Sequence, residues 1–208
     1  MIPLLRESRG RSGGVARRFA GFVVVACIVG ATVQLAVGQT ISAPSTPIPR
    51  LPDVSTSTID IVDLNRAPPV ARDAVVAMTL LGAYPIGEEG RAQPNELLDL
   101  RTAAYMLVNL FSPRLFDEFP VPAEQALPYL QTVTGTDLAA TDPVTVGTLL
   151  EFVNVVAGIE AGADEQLRTV LQERYPALRA GNPDAPVTRA GAALMLVITV
   201  EELSGDDR

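Results

Sequence analysis

The chain of 208 residues has no histidine, no lysine and no tryptophan, and it has a single cysteine. Without histidine there is no His-based catalytic triad and no His-ligated zinc, and without lysine there is no Schiff-base nucleophile. The lone Cys27 excludes an internal disulfide. All 16 basic residues are arginine, and 24 acidic residues outweigh them to give a formal net charge of −8. An acidic balance of this size argues against nucleic acid or an anionic membrane surface as partner. No loop has EF-hand spacing. The adjacent pair Glu88-Glu89 offers either a metal or acid/base site or, with no third ligand close in sequence, a solvated surface. No cofactor and no metal are expected, and nothing resembles a nucleophile–base set, so a secreted hydrolase is the weakest of the functions considered.

What is present begins with an export signal. Arg6, Arg9, Arg11, Arg17 and Arg18 precede the apolar run FAGFVVVACIVGATV, and Ala36-Val37-Gly38 supplies the small residues a signal peptidase needs. Residues 1–38 therefore read as a signal peptide. An uncleaved anchor is the alternative, since Phe19 to Gly38 is nearly long enough to span a membrane. A lipobox-like order at Val24–Cys27 is a third option, opposed by the apolar residues that continue past Cys27. Each reading exports the remainder to the periplasm or the cell surface and leaves it more acidic than the whole. Residues 39–69 carry Pro44, Pro47, Pro49, Pro52, Pro68 and Pro69 among Ser and Thr, a composition that favours extended backbone. They read as a tether, with Ile59 to Leu64 as a short strand or docking segment.

The rest of the chain, 70–208, is organised around one recurring stretch. Thr188 is a good helix N-cap, with Val187 before it and Ala192 after it placed to form a hydrophobic staple. From Ala192 to Val200 the residues are apolar on every side except for Thr199, which marks a buried helix. The β-branched run Val197 to Val200 leaves a strand as the lesser option. Leu97–Val108 aligns without gaps on Pro186–Val197 and places Asp99 at the cap. Pro143–Asn154 aligns as well, with Thr145 at the cap. The staple recurs as Leu98 with Ala103 and as Val144 with Leu149. Caps about 45 residues apart mark repeated supersecondary units.

An opening helix precedes each capped one. In Val70–Gly82 the inner face is Val70, Ala74, Val75, Met78 and Leu81, with Gly82 as the stop. Pro122–Gly135 contains Pro128, expected to kink or shorten the helix. Ala163–Pro176 has the narrow stripe Leu167, Val170, Leu171 and Arg174. The expected fold is all-α: three helix-loop-helix repeats, about 70–115, 116–160 and 161–208, packed as a pseudo-threefold bundle of six helices in three pairs.

These residues resemble the S-layer homology repeat. Leu81-Gly82, Tyr84-Pro85-Ile86-Gly87, Pro94-Asn95 and Ala103-Ala104 match its pattern in the first unit. Asn182-Pro183-Asp184, Pro186-Val187-Thr188-Arg189-Ala190 and Ala192-Ala193 match in the third. The second unit keeps Pro143-Val144-Thr145 and the apolar helix. The family's capping-box Glu is replaced by Thr102, Thr148 and Gly191. Its Arg survives as Arg189, is shifted to Arg101 in the first unit and gives way to Val146 in the second. The resemblance implies a non-catalytic module that attaches to peptidoglycan or a linked cell-wall polysaccharide in grooves between units. Arg189 with Thr188, Arg101, Tyr84 and Tyr175 are the residues it offers for carbohydrate. In the bland alternative the arginines are exposed first-turn residues and the tyrosines pack turns. Helix N-termini are expected to add partial positive charge to the grooves. The competing function is a structural or assembly module that packs against an envelope protein partner.

Overall fold

A computed structural model describes residues 48–56, 59–159, 163–174 and 182–205. Residues 1–38, read above as a signal peptide, lie outside the described residues, as does Tyr175. The protein is helical: α1 (Pro69–Leu80), α2 (Leu100–Phe111), α3 (Ala123–Thr134), α4 (Val146–Val156), α5 (Ala163–Arg174) and α6 (Arg189–Ser204). Among the described residues there is no strand, only isolated bridges, and no helix long and apolar enough to cross a membrane.

All three caps sit where local chemistry put them. Asp99, Thr145 and Thr188 have extended backbone, and each side chain accepts the amide three residues on, from Thr102, Thr148 and Gly191 respectively. The residues preceding the caps carry the joint between units. The amide of Leu98 donates to the carbonyl of Val187 (2.8 Å), Val187 to Val144 (3.1 Å), and Val144 to Leu98 (2.8 Å). The three bonds close a ring, and its members are at most 1% exposed.

α6 is the buried helix that its all-round apolar sequence requires, with every residue from Ala190 to Val200 buried. The strand option is excluded there. Thr199 satisfies its hydroxyl by donating to the carbonyl of Met195 at 2.9 Å. The opening helix of the first unit does not pair within its own unit: α1 packs chiefly against α6, while α3 packs against α2. The reason is cover. A helix apolar all round needs neighbours on every side, and the small residues Ala71, Ala74 and Ala77 let α1 approach it closely. The same choice turns α1. Its buried face is Ala71, Ala74, Val75, Ala77 and Met78, and Val70, expected inside, is 62% exposed.

α1 ends in a Schellman motif. Ala83 N–H donates to Met78 (2.8 Å), Gly82 N–H donates to Thr79 (3.0 Å), and Gly82 is left-handed at φ +65°. α3 runs through Pro128 to Thr134 without being shortened, and the proline lies on the exposed side of the helix. Asn109, a buried amide on α2, is saturated. It donates to the carbonyls of Tyr105 and Val121 and accepts the amide of Val121 at 2.6 Å, pinning the chain ahead of α3.

This packing sets an order of costs. Leu196, fully buried on α6, should cost about 2–5 kcal/mol when changed to Ala. Thr188→Ala, which removes one cap bond, should cost about 1 kcal/mol. Urea midpoints of the two variants check this, and a larger loss from the cap would contradict the burial described.

Candidate functional site

A helix start leaves its first amides without intrahelical partners. Here the loop of the neighbouring unit takes them. Leu100 and Arg101 donate to Asp142 and Ala140, both at 3.0 Å. Val146 and Gly147 donate to Ala185 (3.0 Å) and Pro183 (2.8 Å). Arg189 and Ala190 donate to Glu96 (2.9 Å) and Pro94 (3.0 Å). With the cap on the third amide, the donors expected at the groove floors are already spent on protein carbonyls. At Gly147 the approach is so close that a Cβ would stand 3.2 Å from both the Cβ and the carbonyl oxygen of Pro183.

The first helical position distinguishes the three joints. Leu100 is fully buried and Val146 is 6% exposed. Arg189 occupies the same place in the third unit, with its side chain 15% exposed. Its Nη1 donates to Gln93 Oε1 at 2.7 Å, and its Nη2 lies 3.4 Å from Glu96 Oε2. Its Nε is buried and has no hydrogen-bond partner among the described residues. Thr188 beside it is committed to its cap bond.

The other candidates fall differently. Tyr84 is 2% exposed, so its ring presents no face to a sugar. Its hydroxyl donates to the carbonyl of Ala92 at 3.1 Å, buttressing the loop beneath Arg189. Burial pushes that hydroxyl well above the ordinary tyrosine value. The Arg189 guanidinium partly offsets the rise, while Asp63 and Glu96 add to it. Arg101 stays 55% exposed, with a loose pairing to Glu124 at 3.7 Å. Glu89 pairs with Arg91 at 2.9 Å.

Beside the Arg189 joint lies a cavity of about 260 Å³ lined by Asp63, Arg66, Arg91, Gln93, Asn95 and Glu96, among others. Its chemistry is two exposed guanidinium groups, two carboxamides and two carboxylates, and Asp63 already accepts loop amides on both of its oxygens. The carboxamides and Glu96 suit hydroxyls, and the guanidinium groups suit an acidic substituent. Sequence reasoning missed these residues. Gln93 and Glu96 meet Arg189 across more than ninety positions of chain, and no local pattern shows such a pairing. Asp63 carried no local signal either, since it is buried while the apolar Val62 beside it is exposed. A second cavity, about 220 Å³, opens where α4 begins, with Arg168, Gln172 and Asn182 on its walls.

Compared with known proteins, the chain matches no family model, no curated protein and no solved structure.

Two outcomes follow from this geometry. Arg189→Ala removes a charge-assisted bond from a mostly buried joint and should cost about 1–3 kcal/mol. Arg101→Ala should cost under about 1 kcal/mol, as for an exposed pair. Urea melts separate the two. The second outcome concerns alkali. A hydroxyl whose folded value is raised contributes stability that is fully present below the ordinary value of 10.0 and lost as pH climbs above it. Stability should therefore fall above pH 10, and Tyr84→Phe should flatten that slope. The change should be partial, because burial also raises Tyr105.

Proposed function

We propose that the helical unit is a non-catalytic binding module of the cell envelope, built as three helix-loop-helix repeats in a pseudo-threefold bundle similar to the S-layer homology module. It is exported by the N-terminal segment and attaches non-covalently to peptidoglycan or a linked cell-wall polysaccharide. The observation that carries the reading is the exchange at the first helical position. Two joints close with the buried apolar residues Leu100 and Val146, whereas the third holds Arg189 next to a cavity bearing Arg66 and Arg91. Placing a guanidinium where an aliphatic side chain suffices costs desolvation, so the charge is better explained by a ligand than by packing. Arg66 and Arg91 are the contacts reached from solvent, and Arg189 stands behind Gln93 and Glu96, which line the same cavity. Exposed Arg101 is a further contact at the first joint.

One observation favours the assembly alternative. Phe119 is 59% exposed and Leu115 is 44% exposed, and Phe119 lines a cavity of about 340 Å³ with Arg50 and Arg114. A partner protein would dock there, at a surface that shares no lining residue with the cavity beside Arg189.

Sedimentation with purified cell-wall sacculi distinguishes the two. The protein should co-sediment at low salt, and added salt should weaken the association, because the contacts are charged and exposed. Arg66→Ala combined with Arg91→Ala should release it while leaving the urea melt within about 1 kcal/mol of the parent. Protein that stays in the supernatant at low salt, or release by Phe119→Ala in place of the arginine pair, would assign the module to assembly.

A further inference from the structure

The segment ahead of α1 is fastened to the loop that receives Arg189. Ile61 is 7% exposed and Ala67 is 2% exposed. The amide of Val62 donates to the carbonyl of Gly90 at 3.1 Å, and Asn95 Nδ2 donates to the carbonyl of Arg66 at 2.9 Å. Between them Asp63, 8% exposed, takes two consecutive loop amides on its two carboxylate oxygens: Ala92 at 2.7 Å and Gln93 at 3.0 Å. Gln93 is the only non-glycine residue with positive φ among the described residues, at φ +52°. A residue with a Cβ avoids that conformation unless its surroundings hold it. Here two amides turned onto one carboxylate do so, as in an anion-binding nest. From that backbone the carboxamide of Gln93 reaches Arg189 Nη1 at 2.7 Å.

We propose that Asp63 is a positioning residue of the polymer site: it fixes the left-handed turn at Gln93, and Gln93 in turn holds the Arg189 guanidinium at the mouth of the joint. The inference rests on the polymer-binding reading for its consequence, though not for its geometry. A carboxylate is required because both of its oxygens accept. An asparagine of the same shape offers one acceptor and turns an N–H₂ towards the second amide, so it breaks one arm without changing volume.

The test is a double-mutant cycle in the full chain, with Asp63→Asn, Gln93→Gly and both changes together. Glycine at 93 keeps the turn, since it adopts positive φ freely, and removes only the carboxamide. Asp63→Asn should weaken sedimentation with sacculi by roughly 2- to 140-fold, the size of a coupling between neighbouring groups. Gln93→Gly should weaken it to a similar extent, and the double variant should be little worse than either. If Asp63→Asn lowers the urea midpoint but leaves sedimentation of the folded protein unchanged, Asp63 is merely structural and the proposal fails. Additive losses in the double variant would also overturn it. Should Asp63→Asn not fold, Gln93→Gly tests the same link, and undiminished sedimentation of that variant would overturn the proposal. If the parent protein does not sediment at all, the polymer reading falls. The positioning claim then rests on urea midpoints of Asp63→Asn, Arg189→Ala and their combination: non-additive midpoints support it and additive ones overturn it.

Discussion

Everything in this fold hangs from three amide–carbonyl bonds that join Leu98, Val144 and Val187 in a closed ring. The ring is small, but the constraint behind it is large. Three helices begin inside the protein, and a buried helix start presents amides that must find partners or forfeit the full cost of leaving water. Each start solves the problem the same way. A side-chain cap takes the third amide and carbonyls of the next unit's loop take the first two. The ring holds each loop at the distance this requires. Each of these helix starts therefore depends on a loop distant in sequence for its first two amides. Hydrophobic burial drives the association, and the amides fix its register.

The same solution decides where chemistry can reside. Because the helix-start amides are saturated internally, they contribute little to a ligand, and recognition passes to side chains around the joints. The joints share a backbone plan and differ at one side chain: Leu100, Val146 or Arg189. An aliphatic residue seals the joint. An arginine leaves it polar and is met by the exposed side chains of Gln93 and Glu96, beside a cavity that two other guanidinium groups line. Diversity at that single position turns a structural seam into a candidate site without altering the scaffold.

Much of the scaffold was legible because its determinants are local. Asp99, Thr145 and Thr188 announce helix starts through side chains that act three residues away, and Gly82 announces a stop through its own φ. The continuous apolar surface from Ala192 to Val200 required burial whatever surrounded it. The partner of α6 was not legible, because an amphipathic face shows that something is covered and not what covers it. α1 therefore packs on the last helix, and its phase shifts to expose Val70. Tyr84 sits in a turn that reads equally well as a display site or a prop, and burial makes it a prop. At the candidate site, Arg189 was visible as an oddity of charge at a helix start, while Gln93 and Glu96 were not. Their role comes from tertiary proximity and leaves no periodic or local trace.

The Pro-rich stretch ahead of α1 shows how composition can mislead about boundaries. Its prolines and polar residues read as a tether, yet Ile48, Leu51, Val54 and Ile59 lie against the core and Ile61 is buried in it. A proline-rich segment is already extended and restricted before it docks, so it loses less entropy on docking than an ordinary chain. A few well-spaced apolar residues can then hold it. Its position matters, because it braces the loop at 90–96, which forms the joint containing Arg189. That joint carries the desolvation of a guanidinium that the Leu100 and Val146 joints do not. It is also the joint to which an extra segment brings a carboxylate, a buried isoleucine and additional backbone bonds. The added contacts offset the charged residue's cost, which lets one seam of the scaffold be polar while the ring stays closed.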